Sequence, residues 1–169
     1  MSSQVDFLFD HHIVPAFVPV ADAFAGGITT EAVSLANYGK ASLVIITGAR
    51  EDTGISNLVT VEACTAADGT GNTAIAFKHR VQRYSTTVDT WGALTAATSS
   101  GYNFASNNTV ANAVWFLEVT AEDVAAAVDG GDFVRAVIAE TANKTITAGG
   151  IWILSNPRYP TDVPLTAIA

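Results

Sequence analysis

His11 and His12 stand near Asp6 and Asp10, a set of side-chain types able to ligate zinc. Their spacing argues against it. Adjacent residues of an extended chain point to opposite sides, so the two imidazoles do not converge on one ion. His79, the third histidine, sits among apolar positions and reads as a core or interface residue. Two carboxylate pairs, Glu51-Asp52 and Glu122-Asp123, have the side chains for acid–base work. The first falls in a polar turn. The second opens a helical segment, where acids complement the N-terminal dipole. No serine lies in a G-x-S-x-G elbow, and there is no P-loop, G-x-G-x-x-G or C-x-x-C. Gly69-Thr70-Gly71 is an isolated fragment and reads as a turn. Cys64 is the only cysteine, so no intramolecular disulfide can form. Its apolar surroundings make it a small buried hydrophobe. The residues predict no enzyme, no metal and no cofactor.

One basic cluster stands out. Lys78, Arg80 and Arg83 are three of the eight Lys and Arg residues in a chain of net charge −8. Lys78 and Arg80 share one strand face by the period-two rule. They serve either as a solvated face paired with acids such as Glu62, or as a contact for an acidic neighbour. Acidity elsewhere excludes direct nucleic-acid binding, which needs basic patches to displace counterions. The first basic residue is Lys40, after Asp6, Asp10, Asp22 and Glu31. No apolar run approaches the roughly 20 residues of a membrane helix. No basic segment followed by an apolar stretch marks a signal peptide. The triplets at Asn107 and Asn143 are then chance matches to a glycosylation motif. Charged residues make up only 14% of the chain, against about 25% in ordinary domains. Such a surface suits a protein in contact with other subunits.

The elements that position these residues divide into an arm, a body and a tail. Residues 1–27 read as an extended arm. Pro15 and Pro19 bar Ile13 to Val20 from a central strand, leaving an edge strand or a segment laid across a neighbour. Phe7, Phe9, Ile13, Phe17 and Val18 need burial there and are candidate subunit contacts. The body is residues 28–155. Ser42 to Thr47 is a continuous apolar run, consistent with a strand buried on both faces. Leu58 to Thr65 and Thr73 to Arg83 alternate across the Asp68-Gly69 loop, predicting a hairpin. Val114 to Thr120 alternates, with Trp115, Leu117 and Val119 on one face. Thr120 caps a short helix over Ala121 to Ala127. Phe133 to Glu140 and Ile151 to Ser155 are the last strands, with Gly149-Gly150 a bulge or turn between segments. The tail, residues 156–169, contains Pro157, Pro160 and Pro164 and reads as extended. Seven or eight short strands separated by turns make a mostly β fold, a β-sandwich or jelly roll with one short helix.

Two segments carry a resemblance. Asp89 to Thr98 (Asp-Thr-Trp-Gly-Ala-Leu-Thr-Ala-Ala-Thr) and Trp152 to Tyr159 (Trp-Ile-Leu-Ser-Asn-Pro-Arg-Tyr), with Pro164 to Ile168 near the end, resemble small structural proteins of tailed bacteriophages and prophages. The resemblance runs from Glu31 to Ala169 and transfers no individual functional residue. It implies a virion protein, a cement or decoration protein over the major capsid protein. It also implies a homotrimer, found in the capsid and, during assembly, in the host cytoplasm. Two alternatives stay open. One is a tail or head–tail connector subunit. The other is a carbohydrate-binding sandwich on the virion surface, with Trp91, Tyr102 and Phe104 as its aromatic platform.

Overall fold

The computed structural model describes residues 7–50, 56–83, 90–104, 112–142, 144–159 and 167–168. A single helical turn, α1 (Phe7–Asp10), leads into β1 (His12–Val20). Two short strands, β2 (Ile28–Thr29) and β3 (Val33–Ser34), precede the long β4 (Tyr38–Arg50). Then come β5 (Ser56–Cys64), β6 (Thr73–Ile75) and β7 (Phe77–Arg83). After β8 (Thr95–Ala97) and β9 (Tyr102–Phe104), β10 (Ala113–Thr120) runs directly into the helix α2 (Ala121–Ala127). The chain closes with β11 (Phe133–Ala142) and β12 (Ile146–Pro157).

The strands form two antiparallel sheets, so the fold is a mostly β sandwich with one short helix beyond the α1 turn. The first has the order β1-β12-β4-β10-β7-β8. The second has the order β2-β11-β5-β6, with β3 also on β11 and β9 also on β5. Their inner faces share one core. Trp115, Leu117, Leu43, Ile45, Trp152 and Leu154 come from the first sheet, and Val61, Val134 and Ile138 from the second. Each fully buried aliphatic or aromatic side chain of this kind contributes about 1.5–3 kcal/mol. β10 shows the expected alternation, with Ala113, Trp115, Leu117 and Val119 buried. Thr30, a buried polar residue, finds partners at the seam. Thr30 Oγ1 accepts from the Ala136 amide at 3.0 Å and from the Trp152 indole at 3.4 Å.

The helix begins where its sequence requires. The Asp123 amide donates to Thr120 Oγ1 at 3.2 Å, and the Thr120 amide donates back to Asp123 Oδ2 at 2.9 Å. This reciprocal pair satisfies two otherwise orphaned donors, with Asp in place of the usual Glu or Gln.

Of the two readings open for Ile13 to Val20, the structure shows the edge strand. β1 lies at the margin of the first sheet and pairs only with β12, where a missing proline donor does least harm.

Two expectations need correction. The hairpin is only partly formed. β5 pairs with β6, but the chain crosses at Ala76 and β7 joins the other sheet against β10. Phe77 and His79 do face inward as their alternation requires, yet alternation cannot say which sheet takes the strand. Of the bulge or turn expected at Gly149 and Gly150, the structure shows no turn, and the β1–β12 register slips opposite Gly149. Both glycines lie inside β12, opposite Ile46 and Ile45 of β4. Close approach explains them: a Cβ on Gly149 would meet Pro19, and one on Gly150 would meet the Phe17 ring.

Candidate functional site

Cross-strand partners point to the same side of a sheet, so the register defines the outer face of the first sheet. One row runs Pro15, Ile151, Val44, Phe116, Arg80. A second runs Ile13, Ile153, Ser42, Glu118, Lys78. A third runs Gly149, Ile46, Val114, Gln82. From β1 to β10 the Pro15 and Gly149 rows are apolar, the Ile13 row carries Ser42 and Glu118, and at β7 the face becomes basic. Ile13 is 44% exposed, Ile46 58% and Val18 72%, high values for aliphatic side chains on one sheet face.

Between β1, β12 and β4 the face is indented. A cleft of about 400 Å³ opens there, walled by Pro15, Phe17, Val18, Pro19, Ile46 and Ile151. Gly48, Gly149 and Gly150 also line it, where larger side chains would fill it. A shift of register between Pro15 and Phe17 marks a bulge in β1. Phe17 there turns beside Gly150 and packs edge-on to Phe24, with ring centroids 6.1 Å apart.

The basic side of the face is organised by an aromatic. Trp91 stands edge-on to Phe116 at 5.9 Å, and the Arg80 guanidinium lies 4.8 Å from the Trp91 ring centroid. The Gly92 amide donates to the Val81 carbonyl at 2.8 Å and pins this loop to β7. Lys40 pairs with Glu118 at 3.2 Å. Neither Lys78 nor Arg80 makes an ion pair among the described residues. Glu62 is not their partner either: it lies on the other sheet and accepts from Arg135 Nε at 2.8 Å.

The structure thus brings Ile13, Val18, Lys78 and Arg80 onto one face. Phe17 lines its cleft while also packing on the core. Phe7 lies apart, 48% exposed on α1 and stacked on His11. The side chains of Phe9 and Arg83 fall outside the described residues. Ile46, Ile151, Ile153 and Val114 belong to the face but were not singled out by the sequence. A continuous apolar run signals two apolar faces and does not say that one stays open.

The residues with chemical potential do not converge. His11 Nδ1 donates to the Phe7 carbonyl at 3.1 Å, whereas His12 Nδ1 lies 3.3 Å from the Tyr38 hydroxyl. His79 is buried against Tyr102, with centroids 3.8 Å apart, and burial lowers its pKa. Cys64 is fully buried, and burial pushes its thiol pKa up, away from a reactive thiolate. Glu122 and Asp123 are exposed on α2, and Glu51-Asp52 lies outside the described residues. Among the described residues no group of three or more His, Cys, Asp or Glu side chains could hold a metal. No helix among them is long and apolar enough to cross a membrane. The aromatic platform is also divided. Trp91 packs on the outer face through Phe116, while Tyr102 packs on the inner face against His79 and Trp115. The Phe104 side chain lies outside the described residues.

No known family's sequence pattern and no curated protein sequence matches this chain. Among solved structures, the SPBc2 prophage-derived protein YomS is similar with a TM-score of 0.41 and 15% identity, over 85% of this chain and 93% of that one. The VP2 subviral particle of infectious bursal disease virus is similar with a TM-score of 0.26 and 13% identity, over 93% of this chain and 44% of that one. A family two carbohydrate esterase from Cellvibrio japonicus has a TM-score of 0.20 and 10% identity, over 92% of this chain and 36% of that one. The chain spans less than half the length of the last two. Overlaps at this level assign no function.

Proposed function

We propose that this chain is a structural protein of a virus particle, and most concretely a cement or decoration protein on the major capsid shell of a tailed phage. The observation that carries this reading is the open apolar face of the first sheet, bordered by Lys78 and Arg80. A sandwich covers the inner faces of its sheets and ordinarily leaves polar residues outside. Here Ile13, Val18, Ile46, Ile151 and Ile153 are outside instead. Exposed apolar patches rimmed by polar groups mark protein–protein contacts.

The resemblance of Trp152 to Tyr159 to phage structural proteins supports the same reading. That segment ends β12 at Pro157 and places Tyr159 67% exposed on the surface. The low charge content fits a subunit that works packed among others. A homotrimer would repeat the face three times around a capsomer junction, so modest contacts add to strong attachment. The chain would assemble on the particle from the host cytoplasm, act without a cofactor or catalysis, and touch neither DNA nor membrane.

Electron microscopy of phage particles containing the protein tests this. The expected result is sandwich-shaped density on the outer capsid, with the apolar face covered by neighbouring protein. Density confined to the tail or the connector would replace the cement reading by a connector one. Absence from the particle would overturn both.

A further inference from the structure

The cleft and the basic border are close enough together to receive one short segment, and this chain contains a segment of the matching chemistry. We infer that copies of this protein associate head to tail: the N-terminal turn of one copy, carrying Phe7 and Asp10, docks on the outer face of the first sheet of the next. Phe7 enters the apolar cleft over Val44 and Ile46, and Asp10 meets Arg80.

Charge and reach select this occupant. The cleft is walled by apolar side chains; beyond Phe116 on its β7 side stands Arg80, which makes no ion pair among the described residues, while Glu118, between the cleft and Lys78, is paired with Lys40. A partner needs an exposed apolar side chain beside a carboxylate. Phe7 is 48% exposed, and Asp10 follows it three residues later on the same helical turn. Positions three apart on a helix lie about 5–6 Å from each other. Arg80 and Val44 both flank Phe116 in one row, two strand spacings or roughly 10 Å apart. The length of the arginine stem makes up the difference.

The same copy cannot supply the turn. β1 starts two residues after α1 and runs along β12, from Leu154 opposite His12 to Gly150 opposite Phe17. That carries the cleft roughly 16 Å from the end where α1 sits. A turn fixed at one end of the strand reaches a cleft near the other end only on a second copy. The contact is heterologous, with two different surfaces, so it closes into a ring if the rotation permits and otherwise extends. This inference concerns self-association and stands apart from the capsid reading.

Sedimentation velocity of the full chain without capsids tests it. Wild-type protein should associate with rising concentration. Ile46→Glu, at an exposed position, should weaken association at least tenfold, and Val18→Glu should do the same. Phe7→Ser combined with Asp10→Lys should weaken it equally. The decisive measurement mixes the Ile46→Glu protein with the Phe7→Ser/Asp10→Lys protein. One keeps a working turn and the other a working face, so the mixture should give a complex of one copy of each and grow no further. Circular dichroism confirms that each variant is folded. A wild-type protein that stays monomeric overturns the inference. So does a mixture that stays monomeric, or an Ile46→Glu protein that associates like wild type. Failure of the capsid reading would show instead in the particle images, with self-association intact.

Discussion

The guanidinium of Arg80 lies over the indole of Trp91, 4.8 Å from the ring centroid, and Trp91 in turn covers Phe116 edge-on at 5.9 Å. The three side chains come from β7, the loop after it and β10. They close the β7 side of an apolar sheet face that is otherwise open. Trp91 therefore holds a loop in place and keeps Phe116 from water. A cation over an exposed ring contributes about 0.5–1 kcal/mol. Trp91 also buries part of its own surface, so Trp91→Ala should lower unfolding free energy by about 1–2 kcal/mol. Urea denaturation measures this. No change would mean that the loop does not pack on the sheet in solution.

Arg135 and Glu62 form an ion pair across the second sheet, at 2.8 Å with both side chains 18% exposed. Gly69 lies over the guanidinium, leaving no space for a Cβ. Arg135→Ala should cost about 2–3 kcal/mol, since it strands a mostly buried carboxylate. The double substitution of Arg135 and Glu62 by Leu should recover much of that loss, because it removes both desolvated charges together. A double-mutant cycle in urea checks the sign. A double variant as unstable as the sum of the singles would contradict it.

These contacts show what was legible in the sequence. The alternation of β10 and the Thr120 cap of α2 are local, and both were readable from a few consecutive residues. The partner of Glu62 was not, because Arg135 lies 73 residues away and is brought opposite only by the β5–β11 register. The same limit applies to β7, whose pattern fixed its inward face but not its sheet. Gly149-Gly150 reads as a bulge or turn because glycine is read locally, whereas here it answers to Phe17 and Pro19 across the strand pair. For the candidate surface, Lys78, Arg80, Ile13 and Val18 could be picked out one by one. That they share a face with Ile46 and Ile151 follows only from the pairing of β1, β12 and β4.

The Phe17–Gly150 approach makes its own prediction. A Cβ at position 150 would overlap the Phe17 ring, which lies between the cleft and Phe24. Gly150→Ala should cost about 1–3 kcal/mol through overpacking. It should also loosen β1 from β12, visible as faster amide exchange in residues 12–17. Combining it with Phe17→Leu should restore part of the stability, because the smaller side chain vacates the clash. A combined variant no better than Gly150→Ala alone would mean that the ring is not the obstacle.

His79 supplies the last prediction. Its ring is buried and stacked on Tyr102 at 3.8 Å, beside Phe77 and opposite Thr95 and Leu117 in the flanking strands. None of these neighbours is charged, and Lys78 and Arg80 point to the other face of β7. Its Nε2 has no hydrogen-bond partner among the described residues. Burial disfavours the imidazolium, so the folded pKa lies below the ordinary value of about 6.5. The unfolded chain then binds more protons than the native one in that range, and stability rises with pH there. The contribution is complete above about pH 6.5 and is lost as pH falls from there toward the folded pKa. One proton gives a slope of at most about 1.4 kcal/mol per pH unit. His79→Phe keeps the aromatic packing and removes the proton site, so it should flatten the stability profile below about pH 6.5. Comparing the two profiles cancels the carboxylates, which both proteins share. Parallel profiles, or an NMR titration placing His79 at or above the ordinary value, would show that the ring is solvated or paired and carries no acid sensitivity.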